Sequence, residues 1–93
     1  MAAVAASRRW EMSITRAEFL RLLPAAVGSQ AAALEGTSGD VAWRLELADR
    51  DARRIASLAM PVLDVRLDLR ASGPEAAERF VERFLRAYQR AGG

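Results

Sequence analysis

The sequence contains no cysteine and no histidine, and because its 14 basic residues are all arginine it contains no lysine either. These absences exclude disulfides, thiolate or imidazole zinc sites, and Schiff-base chemistry on a lysine. The serine and threonine hydroxyls have no histidine or lysine to activate them, which excludes the usual nucleophile and base pairs. We therefore predict a protein that is not an enzyme and that binds no cofactor and no metal.

Large apolar side chains are also few. Hydrophobic residues make up 52% of the 93 residues, but 20 of them are alanine. No segment approaches the run of about 18 apolar residues that crosses a bilayer, so we predict no membrane partner. A chain of this length has room for one small hydrophobic core, and association into a homodimer would enlarge the buried surface.

The charges are nearly balanced, at 14 arginines against 12 acidic residues and a net charge of +2. The longest basic groups without an adjacent acid are Arg8-Arg9 and Arg53-Arg54. A phosphate-binding surface normally has a continuous basic stripe. Nucleic acid is therefore an unlikely partner by this criterion.

The first twelve residues are rich in alanine and show no periodic pattern, which predicts a disordered tail over 1–12 with Trp10 exposed. Within it, Ser7-Arg8-Arg9-Trp10 resembles the start of a twin-arginine export signal. Charged residues, beginning with Glu11, interrupt the apolar segment that such a signal requires. We therefore predict a cytoplasmic protein with one domain over residues 13–91 and a flexible end at 92–93.

Two amphipathic helices are predicted. Thr15 and Glu18 form a capping-box pattern, Gly28 is a natural helix end, and Pro24 either ends or kinks the helix between them. Ser72 and Glu75 form a second capping-box pattern ahead of a longer helix with Pro74 in its first turn. The apolar stripe of this second helix consists of Ala77, Phe80, Val81, Phe84, Leu85 and Tyr88.

Two strands are clear from strict alternation of apolar and charged or small residues. They are Val41, Trp43, Leu45 and Leu47, and then Leu63, Val65, Leu67 and Leu69. Residues 31–35 form a weaker strand candidate, and residues 36–40 and 49–51 have turn composition. Residues 52–60 fit a short helix or a strand that bends at Pro61; the absence of a turn signal before residue 63 favours the strand.

These elements predict an α+β fold with two layers: an N-terminal helix, an antiparallel sheet of three to four strands and a C-terminal helix. Clean alternation implies that one sheet face is exposed and the other is buried. Both helical stripes need an apolar surface, so both helices are predicted on the buried face.

The acidic pattern Asp49-Arg50-Asp51 resembles a metal-binding D-x-D motif, but aspartate is also common in turns, and the turn interpretation is favoured. Asp64 and Asp68 are four residues apart on a strand, about 13 Å, which is too far to share an ion.

The candidate binding residues are arginines on or near the exposed sheet face: Arg44, Arg53, Arg54, Arg66 and Arg70. One hypothesis is a small non-enzymatic module that binds a protein partner, or a second copy of itself, through a free sheet edge. The alternative is an arginine-dependent nucleic-acid or anion-binding domain. Cross-strand ion pairing of the same arginines is the structural explanation that competes with both.

Overall fold

The computed structural model describes residues 3–28 and 33–89. Its elements are β1 (Val4–Met12), α1 (Arg16–Val27), β2 (Glu35–Ser38), β3 (Val41–Ile55), β4 (Leu58–Ala71) and α2 (Pro74–Gln89). The four strands form one antiparallel sheet in the order β1-β4-β3-β2. The predicted two-layer α+β architecture is thus confirmed.

The sheet has an inner face, which the helices cover, and an outer face. On β4 the odd-numbered side chains from Leu63 to Ala71 are all buried, and the even-numbered ones point to the outer face. The inner residues of β3 pair with them directly, with Trp43 opposite Leu69 and Leu45 opposite Leu67. The alternation predicted for these two strands is correct in phase as well as in position.

Residues 4–12 form β1, so the prediction of a disordered tail over 1–12 is wrong for these residues. β1 pairs with β4 along its whole length, with Trp10 opposite Val65 and Met12 opposite Leu63. Trp10 is half-buried, contrary to expectation, because its ring stacks on Phe84 with centroids 5.5 Å apart. The alternation of β1 is weak in the sequence since several of its positions are alanine and one inner position is an arginine.

The first helix begins and ends as predicted. The hydroxyl oxygen of Thr15 accepts a hydrogen bond from the Glu18 N–H at 3.2 Å, and Gly28 adopts a left-handed conformation with φ of 75°. Pro24 lies inside the helix rather than at its end, and its carbonyl accepts from the Gly28 N–H at 2.9 Å.

The second helix begins differently from the capping-box prediction. The hydroxyl of Ser72 donates to the carboxylate of Asp40, which joins the start of α2 to the β2–β3 turn. The carbonyl of Gly73 accepts from the Ala77 N–H at 3.2 Å. Pro74 occupies the first helical position, where its missing N–H costs nothing. The predicted flexible end at 92–93 lies outside the described residues.

Both predicted turns are shorter than expected or absent. Residues 36–38 belong to β2, and the chain turns only at Gly39 and Asp40. Residues 49–51 continue β3 and make no turn. The charges that gave them turn composition have partners elsewhere in the fold, because Arg50 pairs with Asp64 of β4 at 2.8 Å and Asp49 with Arg16 of α1 at 3.3 Å.

An aromatic cluster forms the centre of the core between the helices and the sheet. Phe84 is fully buried and lies edge-on to both Phe19 and Tyr88, with centroids 6.2 and 5.1 Å apart. Phe19 and Tyr88 stack face to face at 4.5 Å and thereby join α1 to α2. The core therefore depends on contacts between the two helices as well as on contacts with the sheet.

Residues 52–60 are strand, as favoured, apart from a two-residue turn at Ala56 and Ser57. β3 and β4 thus form one long hairpin. Its register shifts between Arg50, opposite Val62, and Arg53, opposite Met60. Two residues of β3 therefore face the single Pro61, a bulge at a site where proline cannot donate a ladder hydrogen bond.

Candidate functional site

The outer face of the sheet carries a lattice of charges. Its rows follow from the strand register: Ser7, Asp68, Arg44 and Glu35 form one row, and Arg9, Arg66 and Glu46 form the next. Most neighbours in this lattice have opposite charge. Arg66 lies 3.3 Å from Asp68 and 4.0 Å from Glu46, and Arg9 lies 3.6 Å from Asp64.

The fold separates the five candidate arginines into two groups. Arg44, Arg66 and Arg70 lie on the outer face, whereas Arg53 and Arg54 lie on the distal hairpin. The distal pair point to opposite sides of the hairpin because they are adjacent on one strand. All five arginines are exposed, but the structure does not bring them together.

Ion pairing accounts for three of the five. Arg44 pairs with Glu35 at 3.9 Å, Arg53 with Glu11 at 3.2 Å, and Arg66 as described above. Within the described part of the chain, Arg54 and Arg70 have no carboxylate within 4.0 Å. Exposed pairs of this kind contribute up to about 1 kcal/mol each, so they set the charge pattern more than the stability.

The hydroxyl of Ser7 donates to Asp68 at 2.7 Å across β1 and β4. This hydrogen bond, more than the nearby Arg66, holds the pKa of Asp68 below its ordinary value. The carboxylate is therefore ionised throughout the neutral range and its partners remain hydrogen-bond donors.

A shallow, open depression of about 770 Å³ crosses the sheet at the β2–β3 turn end. Its floor is formed by the small side chains Ala5, Ser7, Thr37 and Ala42, and Arg70 stands at its side. Trp43 also lines the depression, but its side chain is 3% exposed, and all six aromatic residues are buried or half-buried with the core on the inner face. The stacking contacts that single-stranded nucleic acid needs are thus missing from this face.

The second surface is the distal part of the β3–β4 hairpin, residues 50–62, which we call the arm. β1 stops pairing with β4 at Met12 and Leu63, and β2 pairs with β3 only as far as Arg44. Among the described residues, the arm therefore pairs with no third strand and is a two-stranded ribbon. At about 3.3 Å per residue it extends roughly 20 Å, which agrees with the elongated 53 × 21 × 20 Å envelope of the molecule.

The arm carries the largest exposed apolar side chains outside the helices. Ile55 and Leu58 face each other at its tip and are 56% and 66% exposed. Met60 and Val62 follow on the same face and are half-buried. In a chain with so few large apolar residues, four of them thus lie on the arm, outside the hydrophobic core.

The free edges of the sheet are protected against strand addition to different degrees. β1 carries Arg8 and Arg9 at its middle, and the arm portion of β4 contains Pro61; both features oppose strand addition. On β3, the Leu45 N–H donates to the Leu34 carbonyl at 2.7 Å, and Arg16 donates to the Leu47 carbonyl at 3.3 Å. Among the described residues, the edge of β3 beyond Leu47 has no such cover.

The structure shows no metal-binding arrangement over residues 3–28 and 33–89, since no group of three carboxylates lies close enough to hold an ion. Asp49 and Asp51 point away from Asp64, to the other face of the hairpin, so the D-x-D pattern does not gather ligands. No described helix has the length and apolarity to cross a membrane.

Sequence reasoning missed the arm as a unit. It assigned 49–51 to a turn and therefore ended the hairpin near its middle. The available signal was the alternation of Leu58, Met60 and Val62, which continues that of β4 on the opposite face.

Comparison with protein-family models, with curated proteins and with solved structures finds no match to this chain.

Proposed function

We propose that this chain is a small, non-enzymatic, cytoplasmic module that binds another protein through its arm. The observation that carries the proposal is the exposure of Ile55 and Leu58 at the tip of a two-stranded ribbon. An isolated two-stranded hairpin is marginally stable in water, so a ribbon of this length gains stability when a partner supplies a third strand or covers its apolar face. Strand addition to a free edge is a common mode of protein recognition.

The charges of the arm suit a protein partner better than a phosphate backbone. Arg50 and Arg53 already have carboxylate partners, and Asp49 and Asp51 place negative charge on the same strand. The alternative, a nucleic-acid or anion binder, would rely on Arg54 and Arg70, which lie on different faces of the sheet. Two separated cations make a weak footprint for a polyanion.

The proposal is tested by site-specific photo-cross-linking in the native host. A benzophenone amino acid replaces Ser57 at the arm tip, and the matched control carries it at Thr37, an exposed residue at the other end of the sheet. We expect a protein adduct from position 57 and none from position 37. The double variant Ile55→Ser and Leu58→Ser should abolish the adduct without lowering the melting temperature, because both side chains are exposed.

The salt dependence of binding distinguishes the protein-binding hypothesis from the nucleic-acid hypothesis. Binding through phosphate contacts weakens by orders of magnitude between about 50 and 200 mM salt, whereas apolar and strand-pairing contacts change little. A nucleic-acid adduct with this salt dependence, or equal adducts from positions 57 and 37, would overturn the proposal.

A further inference from the structure

We infer that the partner of the arm is a second copy of this chain, and that two arms pair antiparallel along their β3 edges into one four-stranded ribbon. This inference rests on the proposed function and names its partner. It concerns residues 50–55 of β3, the portion of the sheet edge that neither Arg16 nor β2 covers among the described residues.

The bulge gives this edge a particular arrangement of side chains. Arg50 and Arg53 both lie on the outer face, because they pair with Val62 and Met60, two residues apart on β4. Their neighbours Asp51 and Arg54 therefore both lie on the other face, although they are three positions apart in the sequence. In a regular strand, residues three apart would point to opposite faces.

The charges of Asp51 and Arg54 on one copy are complementary to those of Arg54 and Asp51 on a second copy. Neither Asp51 nor Arg54 has an ion-pair partner within 4.0 Å in the described part of the chain. A two-fold axis between positions 52 and 53 reverses the strand direction, as antiparallel pairing requires. It places Asp51 beside Arg54 of the partner subunit and Arg54 beside Asp51 of the partner subunit. Side chains that oppose each other must share a face; the bulge satisfies this condition for Asp51 with Arg54 of the partner subunit and for Arg50 with Ile55 of the partner subunit, but not for Ala52 and Arg53, which flank the axis.

Pairing of this kind also stabilises the arm, which as a single two-stranded ribbon is only marginally stable. Two two-stranded ribbons become one ribbon of four strands, which is within the range of stable sheets. The same register places Ile55 beside Arg50 of the partner subunit, and thereby covers part of the exposed tip with the aliphatic stem of the arginine.

The first experiment uses charge reversal with rescue. Asp51→Arg and Arg54→Asp each place two like-charged pairs at the interface, and each should weaken dimerisation about tenfold, the effect of roughly 1.4 kcal/mol. An equimolar mixture of the two variants restores both opposite-charge pairs, so it should dimerise about as well as the wild type. Sedimentation equilibrium measures all four samples.

The second experiment exploits the absence of cysteine from the chain. Ala52→Cys places a thiol beside the proposed axis, where two copies come within disulfide range. The control is Ala48→Cys, an exposed alanine on the same strand whose two copies would be about 30 Å apart. Mild oxidation should cross-link the first variant and leave the second monomeric on a denaturing gel.

A monomeric wild type at submillimolar concentration would overturn the inference, as would a dimer that is cross-linked equally at positions 48 and 52 or that is unaffected by either charge reversal. These outcomes are distinct from failure of the proposed function. If the tip at position 57 cross-links to a different protein while the purified chain stays monomeric, the arm is a binding element but its partner is not a second copy.

Discussion

The hydroxyl of Tyr88 donates a hydrogen bond of 3.0 Å to the main-chain carbonyl of Phe19. The two rings stack at 4.5 Å with an angle of 4° between their planes, so α1 and α2 are joined by a polar and an apolar contact at the same place. Tyr88 is the one tyrosine of the chain and is 2% exposed. Burial raises the pKa of its phenol above the ordinary value.

This burial predicts a specific loss of stability in alkali. The chain has no lysine and no cysteine, and its arginines keep their protons up to about pH 12. Tyr88 is therefore the side chain of the unfolded chain that titrates between about pH 9 and 12. The unfolded chain loses the phenolic proton near about pH 10 while the folded chain keeps it. The free energy of unfolding should therefore be unaffected below about pH 10 and fall above it, by up to about 1.4 kcal/mol per pH unit.

Urea melts at increasing pH, with tyrosinate absorbance followed in parallel, measure this effect. The control is Tyr88→Phe, which should lose about 0.5 to 1.5 kcal/mol at neutral pH with the hydrogen bond and should then show no alkaline slope in this window. Tyrosinate absorbance that appears near pH 10 in a protein that is still folded would contradict the predicted burial.

Phe84→Ala is expected to be among the most damaging changes in α2. The ring is fully buried and contacts Trp10, Phe19 and Tyr88, so its removal should cost about 3 to 5 kcal/mol. The matched control is Arg83→Ala, one residue away on the exposed side. The Arg83 guanidinium packs over Gly28 at the carboxyl end of α1, where a cation contributes about 0.3 to 1 kcal/mol.

Urea denaturation measures the free energy of unfolding of the Phe84→Ala and Arg83→Ala variants. A larger loss for Arg83→Ala than for Phe84→Ala would mean that the contact with the α1 terminus, rather than the aromatic cluster, holds the two helices together.

Trp10→Ala tests the role of β1 in the core. The indole is half-buried against Phe84, and we expect a loss of about 2 to 3 kcal/mol, somewhat less than for a fully buried aromatic residue. Arg9→Ala is the control, because this neighbour points to the outer face with its side chain 69% exposed and should cost less than about 1 kcal/mol. Thermal melts that place both variants within error of the wild type would show that β1 is dispensable.

The sequence predicts the central sheet well and its margins poorly, for a physical reason. In β4, four consecutive odd positions are large and apolar, so one register satisfies them all. In β1 the inner positions include Ala6 and Arg8; Arg8 lies at the edge of the sheet with its side chain 45% exposed, and it pairs with Glu78 of α2 at 3.4 Å. A contact between residues 70 positions apart leaves no local pattern.

The same reasoning applies to the candidate site. Alternation predicts the exposure of Arg44, Arg66 and Arg70, and all three are exposed. The separation of the five arginines into a sheet group and an arm group depends on the length of the hairpin. The hairpin continues through Asp49 and Arg50, whose partners Arg16 and Asp64 are known only from the fold. The turn composition of residues 49–51 is a local property of the sequence. Pairing with distant parts of the chain places these residues in β3 instead.

Ala56→Gly is expected to stabilise the arm. Ala56 is the first of the two turn residues and has a φ of 57°, in the left-handed region that costs a residue with a Cβ atom roughly 1 kcal/mol. Two-residue hairpin turns with a positive φ at the first position favour glycine there. The substitution should therefore slow amide hydrogen exchange in residues 53–60 and raise the free energy of unfolding by up to about 1 kcal/mol.

The control is Ser57→Gly, because Ser57 has no positive φ and glycine there adds only flexibility to the unfolded chain. We expect the two glycine variants to act in opposite directions although they are adjacent, with faster exchange in the Ser57 variant. If both accelerate exchange equally, the turn is not formed at 56–57. The arm would then lack the fixed register on which the pairing of Asp51 and Arg54 between two copies depends.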